Sequence, residues 1–191
     1  MSIPTTIKTD RLRLRPLTLE DAPTIHRLAG RREVAAMTRS IPHPLSLGQA
    51  QEWLAARLTE IAEGKCVAFG VVLERTGEFI GTIGLVNIDT EHCCAEMGFW
   101  IGVDWWGLGY ATEAARAVLR HGFETPGLNR IYAHHMTKNP ASGRVLAKTG
   151  MQREGLHRQA IRKWDVFEDV VVYAMLQEDW TSQREPPSDT A

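Results

Sequence analysis

The stretch Glu96-Met-Gly-Phe-Trp-Ile-Gly-Val-Asp-Trp-Trp-Gly-Leu-Gly-Tyr-Ala-Thr-Glu-Ala114 holds the residues whose types and spacing best suit chemistry. A strand-like apolar pattern runs into a turn with two glycines, and a helical pattern follows at once. Gly107 and Gly109 can adopt left-handed backbone conformations and so turn their N–H groups toward one point. A helix opening near Tyr110 adds first-turn amides that have no partner a turn earlier, and its dipole reinforces them. Such a concavity suits a phosphate or pyrophosphate. A dinucleotide-binding GxGxxG would need glycine where Thr112 stands, and GxxxxGK[ST] does not occur. A plain helix-start turn explains one glycine, but not two.

Three polar residues complete the candidate chemistry. Glu96 lies on the strand that leads into the turn. Its carboxylate is able to accept a proton, or is an exposed strand carboxylate. Asn139 precedes Pro140, the arrangement of an N-cap and first helical residue. Ser142 follows on the same short helix and offers a hydroxyl.

These residues need elements to hold them. Arg11 to Arg15 alternates with period two and reads as a strand ended by Pro16. Thr18 and Asp21 form a weak capping box before a stripe of Leu19, Ala22, Ile25 and Leu28 that ends at Gly30. Ser46 and Gln49 form a second box, opening a helix with Ala50, Trp53, Leu54, Leu58 and Ile61 on one side and Gly64 past its end. Cys66–Leu73 and Phe79–Ile88 read as strands joined by a turn, and Cys93–Gly102 as a third. A helix over Ala111–Phe123, a strand over Arg130–Thr137, a short helix over Pro140–Thr149 and strands over about 152–161 and 167–176 follow. This order indicates an α+β fold with a mixed sheet. One domain over residues 1–181 is expected, with 182–191 as a polar, proline-containing disordered tail.

Composition narrows the function. The chain has 191 residues, 43% hydrophobic and 24% charged, with 22 basic against 23 acidic residues. A net charge of -1 gives no support to nucleic-acid binding through bulk charge. Cys66, Cys93 and Cys94 make an odd count without CxxC spacing, which points away from a disulfide scaffold and toward a reducing cytoplasm. His134-His135 and Cys93-Cys94 are adjacent on strands, so each pair splits between two faces and no metal site is expected. No run approaches the roughly 20 apolar residues of a membrane helix.

The chain resembles the Gcn5-related N-acetyltransferases. Their pyrophosphate loop, (Gln/Arg)-x-x-Gly-x-(Gly/Ala), is matched in spacing by Trp106-Gly107-Leu108-Gly109-Tyr110-Ala111, with Trp at the first position. Thr9 to Asp21, Trp105 to Ala114, Asn139 to Gly150 and Asp169 to Trp180 resemble, in register, the subgroup of the ribosomal-protein N-terminal acetyltransferases RimJ and RimL. The resemblance implies a mixed, mostly antiparallel central sheet flanked by helices. It also implies direct transfer of acetyl from acetyl-CoA to a primary amine, without a metal.

By position, the resemblance lays the pantetheine arm along the main chain of Phe99, Trp100 and Ile101. It makes Trp106, Gly107, Leu108, Gly109, Tyr110, Ala111 and Thr112 the pyrophosphate cradle. Asn139 falls where relatives contact the cofactor arm or a water, and Ser142 where a hydroxyl reaches the sulfur. A main-chain N–H near Ile101 faces the oxyanion. The catalytic candidates that the resemblance implies are thus Glu96, to accept the amine proton directly or through water or to hold the ammonium, with Asn139 and Ser142. Many relatives carry a tyrosine acid seven residues after the asparagine; here that residue is Leu146. Arg144 and Lys148 are candidates for neutralising phosphates, or are solvated helix residues. The helices over residues 31–37 and 46–61 are expected to wall the acceptor side, with His43 near its mouth. The expected acceptor is a protein N-terminal α-amine, whose pKa of about 7.7–8.0 is nearer neutrality than the roughly 10.4 of lysine. A small amine and a non-catalytic coenzyme-A-binding module are the alternatives, and a homodimer is compatible with either.

Overall fold

The computed structural model describes residues 5–125 and 127–183. Eight strands form one sheet: β1 (Ile7–Lys8), β2 (Leu12–Pro16), β3 (Val67–Leu73), β4 (Phe79–Asp89), β5 (Cys94–Ile101), β6 (Arg130–Met136), β7 (Gln152–Lys163) and β8 (Val166–Leu176). Their order is β1-β2-β3-β4-β5-β6-β8-β7. Every neighbouring pair is antiparallel except β5 and β6, which run parallel. The expectation of a mixed, mostly antiparallel sheet is met.

Helices cover both faces. On one lie α1 (Ala22–Ala29), α2 (Arg32–Ala36) and α3 (Leu47–Ala62). Their buried residues, Ile25, Leu28, Val34 and Leu54, pack on Ala68, Val72, Phe79 and Trp100. On the other lies α4 (Tyr110–Glu124), whose Ala114, Ala115, Val118 and Leu119 pack on Leu14, Phe69, Leu85, Met97 and Ile131. Here α5 (Pro140–Lys148) adds Leu146, which is fully buried; the position where relatives carry tyrosine therefore serves the core. Period-two alternation along β5 feeds both layers, with Met97 and Ile101 on the α4 face and Trp100 on the α1 face.

The helix starts follow from local chemistry. Ser46 Oγ accepts from Gln49 N–H at 3.1 Å while Gln49 Oε1 accepts from Ser46 N–H at 2.9 Å, a full capping box. Asp21 Oδ2 accepts from Thr18 N–H, but the residues after that cap form a 3-10 turn, Leu19–Asp21, before α1 begins. Leu19 therefore lies off the apolar stripe and is 59% exposed, a correction to the expected pattern. A second correction concerns the end of the chain. Gln177–Ser182 form α6, capped where Asp179 Oδ2 accepts from Leu176 N–H, so helix persists through Ser182. Residues 184–191 of the expected tail lie outside the described residues. Among the described residues no helix is long and apolar enough to cross a membrane.

Candidate functional site

The parallel pairing of β5 with β6 lasts for three residue pairs, Cys94–Arg130, Ala95–Ile131 and Glu96–Tyr132. Beyond them β5 continues against β4 alone and β6 against β8 alone, so the sheet splits. Gly102 N–H donates to Ile80 O on β4. Alternation along an antiparallel ladder then turns the main-chain groups of Gly98 and Trp100 toward β4, and those of Met97, Phe99 and Ile101 toward the split. Of the three main-chain positions expected at the pantetheine arm, Phe99 turns its main-chain groups there and Ile101 its N–H, since the Ile101 carbonyl accepts from the Trp106 indole. Trp100 contributes its position on the wall instead.

A cleft of about 630 Å³ runs through this split from the α4 face to the α2–α3 face. At the α4 end stands the turn. Gly107 and Gly109 have φ of +77° and +84°, values that side chains rarely tolerate, and α4 starts at Tyr110 with Gly109 as N-cap. Gly107, Gly109, Tyr110, Ala111 and Thr112 line the cleft. Leu108 does not: its side chain is half exposed and its carbonyl accepts from Arg11 Nη1 at 3.0 Å.

The turn is tied down from β2. Arg11 Nε donates to Glu113 Oε2 at 2.7 Å, Arg11 N–H and Thr9 Oγ1 donate to Glu113 Oε1, and the guanidinium lies over the Tyr110 ring. The Leu108 carbonyl is thereby tied to the Arg11 guanidinium on the outer side of the turn. Trp106, where relatives carry Gln or Arg, donates its indole N–H to Ile101 O at 2.7 Å and fixes the end of β5. Trp105 packs into both apolar layers, as its type suggests. These features fit a pyrophosphate: two left-handed glycines, first-turn amides, and Arg144 and Lys148 of α5 on the cleft wall.

The middle of the cleft meets the start of α5. Asn139 Oδ1 accepts from Ser142 N–H at 3.2 Å, and Asn139 Nδ2 donates to Met37 O at 3.3 Å. The side chain thus caps α5 and fastens it to the end of α2, which commits its amide to positioning. The Ser142 side chain lines the cleft.

The other end is made of charges. Glu96 is buried, and its carboxylate accepts from Asn87 Nδ2 at 3.2 Å. A β-bulge in β4 after Val86, with Asn87 at φ +52°, aims that amide across the strand. Glu96 Oε1 also stands 3.2 Å from His134 Nδ1 and 3.6 Å from Arg39 Nη2. Arg39 Nη1 lies 3.4 Å from His134 Nε2, so one guanidinium spans both groups. Burial pushes the His134 pKa below its ordinary value, with Glu96 opposing and Arg39 assisting, so the ring is neutral near pH 7. Its Nδ1–H then donates to Glu96 while Nε2 keeps its lone pair.

Glu96, Phe99, Trp100, Ile101, Trp106, Asn139 and Ser142 all line this one cleft. His134 and Arg39 were not among the expected site residues. The adjacent His134-His135 pair argues against a metal but carries no sign that one ring faces Glu96. His135 instead donates Nδ1–H to Met136 O and packs on Tyr173. His43 lies outside the cleft, with Nδ1 against Gly30 O and its ring against Trp164. Among the described residues, no group of three or more His, Cys, Asp or Glu converges as a metal site.

Comparison with known proteins identifies the family. Residues 11–152 match the family described as Acetyltransferase (GNAT) domain. The uncharacterized N-acetyltransferase p20 of Bacillus licheniformis is 31% identical over 92% of this chain and 98% of its own length. The [Ribosomal protein uS5]-alanine N-acetyltransferase of Escherichia coli is 32% identical over 64% of this chain and 63% of its own. Among solved structures, the acetyltransferase (GNAT family) from Bacillus anthracis superposes with a TM-score of 0.80 at 27% identity, covering 91% of this chain and 99% of that one. RimL, the ribosomal L7/L12 alpha-N-protein acetyltransferase, in complex with coenzyme A, shares the fold with a TM-score of 0.81 at 19% identity, over 91% and 97% of the two chains.

Proposed function

The chain belongs to the GNAT acetyltransferase family and is an N-acetyltransferase, and on that premise we propose that it acetylates the α-amine at the N-terminus of a protein, using acetyl-CoA. The observation that carries the choice of acceptor is the charge lining of the cleft. Glu96 is its sole carboxylate among the described residues, against the cationic Arg39, Arg57, Lys138, Arg144 and Lys148. One buried carboxylate suits one ammonium. A polyamine would bring further positive charges to a cleft that, apart from Arg144 and Lys148 at the phosphates, already holds Arg39, Arg57 and Lys138. An α-amine, with a pKa of about 7.7–8.0, also needs less help than lysine to become neutral at pH 7.

Acetyl-CoA supplies an activated acyl group on sulfur. Toward it, the amides of Gly107 and of residues 109–112 hold the pyrophosphate, assisted by Arg144 and Lys148. Main-chain groups of Phe99 and Ile101 line the pantetheine arm, and the Ile101 N–H faces the developing oxyanion. Ser142 donates a hydrogen bond to the thiolate as it forms; a hydroxyl is too weak an acid to do more. Asn139 keeps Ser142 and α5 in place. Glu96 attracts the acceptor ammonium, and the cluster of groups around it takes the proton that the amine must lose. Holding the two reactants together supplies much of the rate and requires no covalent enzyme intermediate. The domain of residues 1–181 acts as one unit in this scheme.

Mass spectrometry on the purified protein with acetyl-CoA, a panel of peptides with free N-termini and a panel of small amines tests the reading. The expected product carries acetyl on the peptide α-amine. Acetyl on small amines alone would transfer the proposal to a metabolite, and coenzyme A binding without any transfer would point to a binding module.

A further inference from the structure

Glu96 does not face the split alone. Its Oε1 is 3.2 Å from His134 Nδ1, and the opposite ring nitrogen, Nε2, is 3.4 Å from the Arg39 guanidinium. Glu96 is buried, whereas the Arg39 side chain is 52% exposed and comes from the segment after α2. Arg39 is thus the solvent-exposed member of the three, and a positive N–H donor at the spot where it sits faces both Glu96 Oε1 and His134 Nε2. An alkylammonium is also a positive N–H donor.

We propose that His134 is the base that receives the acceptor's proton, held in its working tautomer by Glu96, and that the Arg39 guanidinium occupies the ammonium position until the acceptor displaces it. This deepens the reading that the cleft acetylates a primary amine. The ammonium enters as Arg39 swings outward, and one N–H bond breaks as its proton passes to His134 Nε2. The freed lone pair attacks the thioester carbon; the C–N bond forms and the C–S bond breaks. A second nitrogen proton goes to the departing sulfur, giving the neutral thiol, and the proton on His134 is released to water.

The charges around the ring set its basicity. Glu96 on β5 raises the basicity of His134, and Arg39 lowers it, as do His135 on β6 and His157 on β7. The ammonium that displaces Arg39 brings the same positive charge, so the exchange leaves the ring neutral until the proton passes to it. Burial, the largest influence, keeps the ring neutral in the resting protein and so ready to accept.

Two measurements test the assignment. In the protein without substrate, nitrogen-edited NMR of the imidazoles should show His134 protonated on Nδ1, with its titration moving to higher pH in Arg39→Gln and to lower pH in Glu96→Gln. Protonation on Nε2, or a titration that ignores both substitutions, overturns the proposal whatever the acceptor is. In the second, kcat/KM for an alanine-starting hexapeptide is followed from about pH 6 to 9.5. His134→Gln should lose about 100-fold at pH 7. The deficit should shrink at high pH, where the amine arrives neutral, and KM for acetyl-CoA should stay unchanged. A deficit that is flat across pH means a structural role and sinks the base assignment. Arg39→Gln should lower the amine KM several-fold; a raised KM would make Arg39 a substrate contact rather than a plug. If the hexapeptide is not acetylated but spermidine or another small amine is, the acceptor reading fails, and the same profile on that amine still decides the role of His134.

Discussion

The cleft has two ends built from different materials. At the α4 end the groups that face inward are main-chain amides, set by the φ of Gly107 and Gly109 and by the start of a helix. At the α2 end they are side chains, Glu96, His134 and Arg39, brought together from three separate segments. Main-chain amides are the same in every protein, so the first end suits a ligand part that never varies. Side-chain charges can be exchanged one at a time, so the second end suits the part that sets specificity.

The strongest way to break this contrast is Gly109→Trp. It imposes a side chain at φ +84°, where an added Cβ already comes within 3.3 Å of Arg11 Nη2. Loss of the charge-assisted hydrogen bonds made there should weaken coenzyme A binding by about 100-fold or more in calorimetry, with the amine end intact. Unchanged affinity would remove the loop from the site. Next is Ser142→Ala, midway between the ends. It should cut kcat by about tenfold and leave the acetyl-CoA KM nearly as it was; a rise in KM alone would make Ser142 a binding group.

Smaller effects are expected from the tether behind the turn. Arg11→Met should raise the acetyl-CoA KM about threefold without touching the amine KM. Glu113 sharpens this with pH. Burial pushes its carboxyl upward, but hydrogen bonds from Thr9, the Arg11 N–H and the Arg11 guanidinium outweigh burial and hold it below 4.5. A depressed carboxyl stabilises the fold fully above about pH 4.5, and that support disappears as pH falls through the folded value. The stability gap between the native chain and Glu113→Gln, measured by urea unfolding, should therefore narrow in acid; a constant gap would show that ionisation contributes nothing. The least effect should come from Asn139→Ala, about 1 kcal/mol of stability for the lost cap, read as a lowered Tm of a few degrees.

The same contrast explains what was legible in the sequence. Ser46 with Gln49, and Asn139 with Pro140, mark helix starts because each cap is satisfied within three residues. The paired glycines mark the turn because their conformation is a property of the residues themselves. The Arg39–His134 contact joins residues 95 positions apart. Nothing local announces it: the pairing of Glu96 with Tyr132 and the alternation along β6 set His134 on the same face as Glu96. Leu19 misled because a 3-10 turn displaced the helical period by its length. The helix Gln177–Ser182 has no buried residue, so no apolar stripe signalled it.

Three rungs of ladder join β5 to β6, and past them the strands β6, β7 and β8 lean away from the remainder of the sheet. Side-chain ties such as Asn139 to Met37 and Lys163 to Ile41 bridge the wedge beyond those rungs. A molecule lodged in that wedge touches both halves at once and acts as a splint. Whatever free energy it gains by binding resists their separation, so the protein should open most readily along this seam when empty and become harder to pull apart as the wedge fills.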